Sequence, residues 1–110
     1  MDSRLLSGAV DTLLLEVISE GSTYGYEIAQ TMLARSRGYF AITEGSLYPA
    51  LHRLERRKYL ESFWKDADGR QRKYYKLTAA GRSTLVAKKK EWRQFVAGAQ
   101  RILGGADGVA

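Results

Sequence analysis

The side chains of this chain that are best suited to binding chemistry are cationic and aromatic, and they concentrate between Thr43 and Gly81. From residue 43 to residue 76, nine Lys or Arg stand against five Asp or Glu, a surplus of four in a chain of net charge +6. Such a surplus favours a polyanionic partner through Coulomb attraction and counterion release. A basic face that only keeps the chain in solution is the alternative, and the placement of the charge on a helix and a ribbon makes it the weaker one.

A short amphipathic helix is predicted to begin this region. Its core-facing positions recur at i, i+4 and i+7 and are Leu47, Leu51 and Leu54. At about 100° per residue, the opposite and outward side carries Pro49, His52, Arg53 and Arg56. Pro49 fits only in or near a first turn, because it lacks an N–H. The helix is therefore expected to start near Ser46, or to have a distorted first turn from Thr43.

Two strands, about Leu60–Lys65 and Arg70–Leu77, are predicted to follow around the turn Asp66–Gly69, where Gly69 can take a positive φ. A helix followed directly by a basic, aromatic ribbon is typical of a winged helix-turn-helix, in which the helix enters the major groove of DNA and the ribbon lies along the phosphates. The predicted fold is mainly α with a β-hairpin wing.

The remaining elements complete this domain. The first helix is predicted over Ser3–Ser19 and the second over Tyr24–Arg35, with Ser22 or Thr23 as the N-cap of the second. Thr78 is the expected N-cap of a last helix that ends near Leu103. We expect a DNA-binding domain over residues 1–78, a dimerisation helix over 79–103 and a disordered tail over 104–110.

Composition argues against an enzyme. The chain has no cysteine and one histidine, His52, so neither thiolate chemistry nor a multi-histidine metal site is available. Glu16 and Glu20 are interpreted as an exposed helix edge, not as a catalytic pair. No metal or cofactor is expected. No apolar run is long enough to span a membrane and the amino terminus does not resemble a secretory signal, so a cytoplasmic protein is expected.

The chain resembles the PadR-like family of bacterial transcriptional regulators, in the compact subfamily that has one helix after the wing. Three ordered motifs carry the resemblance: Tyr24-Gly25-Tyr26-Glu27-Ile28, Gly45-Ser46-Leu47-Tyr48-Pro49-Ala50-Leu51 with Arg53-Leu54-Glu55, and Gly69-Arg70 with Arg72-Lys73-Tyr74-Tyr75 and Leu77-Thr78 ahead of Gly81. The resemblance implies a homodimer that represses nearby genes and is released by a small molecule or a stress signal. The chain departs from the family pattern at Tyr59, where relatives often carry a small residue such as Gly. A slightly altered exit from the recognition helix is therefore expected.

The residues predicted to contact DNA lie on the helix, on the wing and before them: Tyr24, Thr43, Ser46, Tyr48, Pro49, His52, Arg53, Arg56, Arg70, Arg72 and Lys73. Arg53 is the preferred candidate for a guanine, because its planar fork matches O6 and N7 together. The wing cations are expected on phosphates or in the minor groove. Alternatives stay open: Arg53 and Arg56 on a solvated helix face, Tyr48 as half-buried packing, and Tyr26 as either a phosphate donor or core.

A dimer seam is predicted on the last helix, where apolar residues recur every seven positions, and on the first helix. The candidate dimer residues are Leu5, Leu6, Leu85, Trp92, Phe95, Ala99 and Ile102. In multidrug-responsive members of the family, a tryptophan at the position of Trp92 pairs with its dimer mate around flat aromatic ligands, so Trp92 and Phe95 are candidates for binding an aromatic effector. The alternative is that both residues only fill the seam.

A second function stays open, that of a non-specific module for RNA or single strands. It is motivated by Tyr74 and Tyr75 on the basic ribbon, which could stack on unpaired bases.

Overall fold

Four helices and a three-stranded antiparallel sheet form the fold across the described residues; the computed structural model describes the backbone of residues 3–104 and the side chains from residue 8 onward. The elements in chain order are α1 (Ser3–Ser19), β1 (Thr23–Tyr24), α2 (Gly25–Arg35), α3 (Glu44–Arg56), β2 (Leu60–Ala67), β3 (Arg70–Leu77) and α4 (Ala79–Leu103). The predicted class, mainly α with a hairpin wing, is confirmed. Gly104 caps α4 with φ 98°, and the rest of the predicted tail lies outside the described residues.

One core joins α1, α2 and α3, here together called the head, to the wing formed by β2 and β3 and to the start of α4. Its fully buried members from α1 and α2 are Leu14, Leu15, Ile18 and Ile28, and those from α3 are Leu47, Leu51 and Leu54. Leu60 and Tyr75 add the inner face of the sheet. The predicted leucine stripe of α3 is therefore confirmed, and it fixes which side of α3 is left to face solvent.

The start of α3 corresponds to the second of the two predicted starts, the one from Thr43, and not to the one near Ser46. Thr43 is the N-cap, with its hydroxyl accepting a hydrogen bond from the Ser46 N–H at 3.3 Å, and the helix begins at Glu44. Pro49 is therefore the sixth helical residue and lies in the second turn. Its missing N–H leaves the carbonyl of Gly45 without the usual partner. Both residues are exposed, so water can replace that bond and the helix continues.

The exit of α3 is a tight reversal at Lys58. Lys58 takes a left-handed φ of 65°, while the Tyr59 N–H bonds to the Leu54 carbonyl at 3.0 Å. Glycine is the residue that usually occupies such a position after a helix. Lys58, and not Tyr59 as expected, is therefore the residue that stands where a small residue such as glycine fits the helix exit. The exit keeps its hydrogen bonds, and the unfavourable backbone region is the cost of carrying lysine there.

The sheet has the order β1-β3-β2. β2 and β3 pair from Leu60 with Leu77 to Ala67 with Arg70, so β2 runs two residues beyond its predicted end. Asp68 and Gly69 close the hairpin with φ 54° and 77°, the pattern of a two-residue type I′ turn.

β1 was not predicted. Thr23 and Tyr24 pair with Tyr75 and Tyr74, and α2 starts at Gly25 with Tyr24 as an N-cap that makes no side-chain cap bond. The predicted cap by Ser22 or Thr23 is wrong, because the backbone there is used by the sheet.

Replacing Lys58 by Gly is expected to raise the free energy of unfolding by about 0.5–1 kcal/mol. Glycine removes the left-handed cost of about 1–2 kcal/mol, but part of that gain is lost to the greater entropy of the unfolded chain. Arg57→Gly is the matched control, since it removes the same charge one residue earlier at φ −79° and should destabilise the fold. Thermal and urea unfolding measure both. Equal destabilisation by the two variants would contradict the assignment of the helix exit.

Candidate nucleic-acid interface

The exposed face of α3, the start of α2 and the wing meet in one open groove, here called the α3–wing groove. The residues that line it are Tyr24, Gly25, Tyr26, Tyr48, His52, Trp64, Arg72, Lys73 and Tyr75. Five of the predicted DNA-binding residues are thus brought together by three separate elements. The groove is rich in aromatic rings and N–H donors, which suits a nucleic-acid backbone and base edges.

The groove is electropositive. Among the described residues that line it, none is acidic, whereas Arg72 and Lys73 are cationic. Lys73 is partly compensated by Glu55, whose carboxylate lies 3.7 Å from the Lys73 ammonium. Burial raises the pKa of the Tyr75 phenol, and Glu55 and Tyr48 raise it further, so Tyr75 stays neutral well above neutral pH. No charge on Tyr75 therefore opposes an approaching phosphate.

Arg72 is held at the groove edge by aromatic stacking. Its guanidinium carbon lies 4.1 Å from the ring centroid of Tyr24. Tyr24 in turn meets Tyr74 edge-on at 5.4 Å, and Tyr74 stacks on Phe63 at 5.7 Å. This aromatic layer covers the outer face of the sheet and limits the rotamers of Arg72. A cation that is oriented before binding loses less entropy on binding a phosphate.

The same aromatic layer bears on the alternative function, in which Tyr74 and Tyr75 would stack on unpaired bases of RNA or single strands. Tyr75 is only 1% exposed and belongs to the core. Tyr74 is half-buried between the rings of Tyr24 and Phe63, with the Lys65 ammonium 5.4 Å from its centroid. Neither of the two tyrosines that motivated the single-strand alternative offers a free ring face.

Tyr48 is positioned by a glycine. A Cβ added at Gly25 would come within 2.5 Å of the Tyr48 hydroxyl oxygen. The ring of Tyr48 therefore rests against the first residue of α2 while part of it stays exposed to the groove. Half-buried packing of Tyr48, one of the two alternatives from the sequence, is therefore confirmed, while its contact with DNA stays a prediction. The contact also links the Tyr24-Gly25-Tyr26 motif to the Leu47-Tyr48-Pro49 motif.

Arg53 does not point outward as predicted. Its guanidinium is half-buried and directed at Asp11 of α1, with Nη2 2.6 Å from Oδ1 and Nε 3.4 Å from Oδ2. A wheel drawn on α3 alone could not reveal this, because the carboxylate comes from another helix. The predicted guanine contact would require Arg53 to leave a buried partner, which is costly.

The other predicted DNA contacts lie outside the groove. Thr43 and Ser46, with Arg53, line a separate apolar depression on the opposite flank of α3. The remaining three, Pro49, Arg56 and Arg70, are exposed but line neither depression. Pro49 and Arg56 lie on the outer face of α3, and Arg70 begins β3 beside the turn. Their contacts with DNA remain predictions.

Trp64 is a groove residue that the sequence analysis missed. It is 63% exposed and pairs across the hairpin with Lys73. A signal for it existed, since side chains alternate along a strand and the buried Leu60 places Ser62 and Trp64 on the same face. An indole offers both an N–H donor and a large apolar surface to a partner.

The helix α4 carries a second candidate surface. Trp92 and Phe95 are 52% and 58% exposed and stack on each other at 5.9 Å, and Ile102 is exposed further along. Ala99 is half-buried. Leu85 corrects the prediction: it is only 6% exposed and belongs to the core of its own chain. Leu5 and Leu6 lie in α1, and their side chains are outside the described residues.

Within residues 3–104, no group of three or more His, Cys, Asp or Glu lies close enough together to hold a metal ion. Over the same residues, no helix has both the length and the apolar character that crossing a membrane requires.

Comparison with known proteins identifies the family. Residues 14–87 match the model of the transcriptional regulator PadR-like family. A transcriptional regulator of Mycobacterium tuberculosis is 32% identical over 102 residues, covering 93% of this chain and 90% of that protein. An uncharacterized protein of Lysinibacillus sphaericus is 38% identical over 93 residues, covering 84% and 85%.

Solved structures agree with this assignment. A PadR-like transcriptional regulator from Bacillus cereus has 30% identity and a TM-score of 0.80, covering 93% of this chain and 98% of its own. A PadR family regulator from Clostridium difficile has 36% identity and a TM-score of 0.73, covering 87% and 98%. The chain therefore belongs to the PadR-like family of DNA-binding transcriptional regulators, which are not enzymes.

Proposed function

We propose that the chain is a homodimeric repressor that binds a pseudo-palindromic operator and is released by a small aromatic molecule or a stress signal. The observation that carries the DNA-binding part is the α3–wing groove, which is lined by cations and N–H donors without a described carboxylate. Its partner is double-stranded DNA, with α3 in the major groove and the wing along the backbone.

In this proposal the outer face of α3, here called the reading face, selects the base sequence of the operator. Pro49 and His52 can meet thymine methyls, base edges or phosphates, and Arg56 is the exposed guanidinium at the end of the helix. Arg70, Arg72 and Lys73 are assigned to phosphates, where they position the protein without selecting a sequence. Tyr24, Thr43 and Ser46 are assigned to phosphates at the starts of α2 and α3.

Dimerisation is assigned to the distal part of α4. A helix of 25 residues is about 37 Å long, whereas the shorter dimensions of the molecule are 28 and 24 Å. The distal part of α4 consequently leaves large apolar side chains in water, namely Trp92, Phe95, Ile102 and Leu103. Apolar surface of this kind in a soluble domain marks an interaction site, and a second copy of α4 would bury it.

The effector is assigned to the stacked Trp92 and Phe95. They border a shallow depression between α1 and α4 that also involves Gly8, Thr12 and Lys88. A second copy would turn this open depression into a slot with indole walls, which suits a flat aromatic molecule. Binding there would change the angle between the two heads and thus their fit to the operator.

Specific binding is expected for a labelled duplex from immediately upstream of the gene, measured by fluorescence anisotropy at two salt concentrations. A scrambled duplex of the same length and composition is the control. The upstream duplex should bind more tightly, and the preference should survive the higher salt because base contacts depend less on counterion release. If both duplexes bind with equal affinity and both affinities fall as the salt concentration rises, the protein makes only non-specific phosphate contacts.

Arg72→Ala is expected to weaken binding to the upstream and scrambled duplexes by a similar factor. It should also lower the magnitude of the slope of log K against log salt by about 0.9, the value for one lost phosphate contact. Arg82→Ala, which removes an exposed cation from α4, is the matched control and should leave both quantities close to those of the unmodified chain. Loss of affinity for the upstream duplex alone would assign Arg72 to base reading instead.

The two tryptophans of the chain are expected to report on different partners. Trp92→Ala removes an indole from the α4 seam and should shift the protein toward monomer in sedimentation-velocity ultracentrifugation. Trp64→Ala removes an indole from the groove and should weaken DNA binding while the dimer persists. Each variant is the control for the other. If the dimer is unaffected by Trp92→Ala, the dimer seam lies elsewhere. If Trp64→Ala keeps full DNA affinity, Trp64 is not part of the DNA interface.

A further inference from the structure

We infer that Arg53 is a positioning residue: its pair with Asp11 fixes how α3 is turned about its own axis, and so aims the reading face. This inference rests on the proposed sequence-specific DNA binding. It assigns to Arg53 a role different from reading a base, and it assigns to Asp11, a residue of α1 remote from the groove, an effect on DNA affinity.

The geometry of the pair is that of a fixed clamp. Asp11 is 5% exposed, and both of its carboxylate oxygens face Arg53, at 2.6 Å from Nη2 and 3.4 Å from Nε. Two parallel contacts between two planar groups define an orientation as well as a distance. A lysine could supply the charge of Arg53 but not this second contact.

A second clamp holds the other flank of α3. Glu55 accepts a hydrogen bond from the Ser62 hydroxyl at 2.6 Å and lies 3.7 Å from the Lys73 ammonium, so it ties α3 to β2 and β3. Arg53 and Glu55 are about 160° apart around the helix. Between these two flanks, on the side away from the core, lie Pro49, His52 and Arg56. A rotation of α3 that moved those three residues would break a polar contact on either flank.

The clamp also joins α3 to the proposed dimer helix. α1 holds α3 through Asp11, and it holds α4 through Glu16, whose carboxylate lies 2.7 Å from the Lys89 ammonium. A displacement of α4 therefore reaches the reading face through α1 by two ion pairs in series. In this scheme Arg53 acts on DNA through the orientation of α3 and makes no base contact of its own.

The test combines Arg53→Ala, Asp11→Ala and the double variant with a panel of single-base substitutions in the upstream duplex. Each single variant should weaken binding on the order of ten-fold for every duplex in the panel, so that the base preferences are unchanged. The double variant should be no weaker than either single variant, because all three lose the same clamp. Asp11→Asn and Arg53→Lys serve as milder variants that keep the side-chain volume if an alanine variant does not fold, and should show the same uniform loss in smaller measure.

Control variants separate this role from general stability. Arg35 and Glu20 form another arginine–carboxylate pair at 2.6 Å, which joins α2 to the residue that follows α1 and does not involve α3. Arg35→Ala and Glu20→Ala should keep the DNA affinity of the unmodified chain. All measurements are made at a temperature where circular dichroism shows each variant to be folded.

Two results would overturn the inference, and they differ. If Arg53→Ala abolishes the preference at one base pair while Asp11→Ala leaves affinity intact, Arg53 reads that base. If the unmodified chain shows no preference among the duplexes, the proposed sequence-specific function fails, and the positioning role falls with it.

Discussion

The buried leucine stripe of α3 is the constraint on which the interface depends. Leu47, Leu51 and Leu54 are almost completely excluded from water, and each buried leucine is worth about 1.5–3 kcal/mol relative to exposure. A rigid helix that buries one side must present the opposite side, so the stripe alone makes Pro49 and His52 outward residues. It leaves the fine rotation of the helix less well defined, since apolar packing is not directional. The polar contacts on the two flanks supply the missing direction.

The wing is attached to the head by a strand of two residues. β1 pairs with β3 immediately before α2 begins, so the backbone that starts α2 is also an edge of the sheet. The aromatic layer over that edge, from Tyr24 through Tyr74 to Phe63, then packs the wing to the head with side chains. As a result the α3–wing groove exists before DNA arrives. A preformed groove avoids part of the ordering cost that a loose arm would carry on binding.

Local patterns predicted most of this fold, and non-local contacts account for what they missed. The α3 stripe, the Thr78 cap, which accepts the Gly81 N–H at 3.0 Å, and the Gly69 turn each depend on residues within one turn or hairpin. The pair of Arg53 with Asp11 spans 42 residues, and no periodicity within α3 encodes it. Leu85 has the same seven-residue spacing as Trp92, yet it lies where α4 still covers the head. A heptad pattern does not distinguish packing on the same chain from packing on a partner.

The exposure of α4 changes along its length, and this bears on how a signal could travel. Leu85 is buried against the head, whereas Trp92, two turns later, is half-exposed beside α1. Because both residues belong to one continuous helix, a shift at the exposed end cannot be absorbed by a flexible joint. It must be taken up where α4 meets the head, at the Glu16–Lys89 pair and along α1. Separating Arg53 from Asp11 would leave a buried carboxylate without its partner, which is unfavourable, so Asp11 and Arg53 are expected to move together. In the proposed dimer, α1 is thus the element that connects the seam on α4 to the proposed reading face of α3.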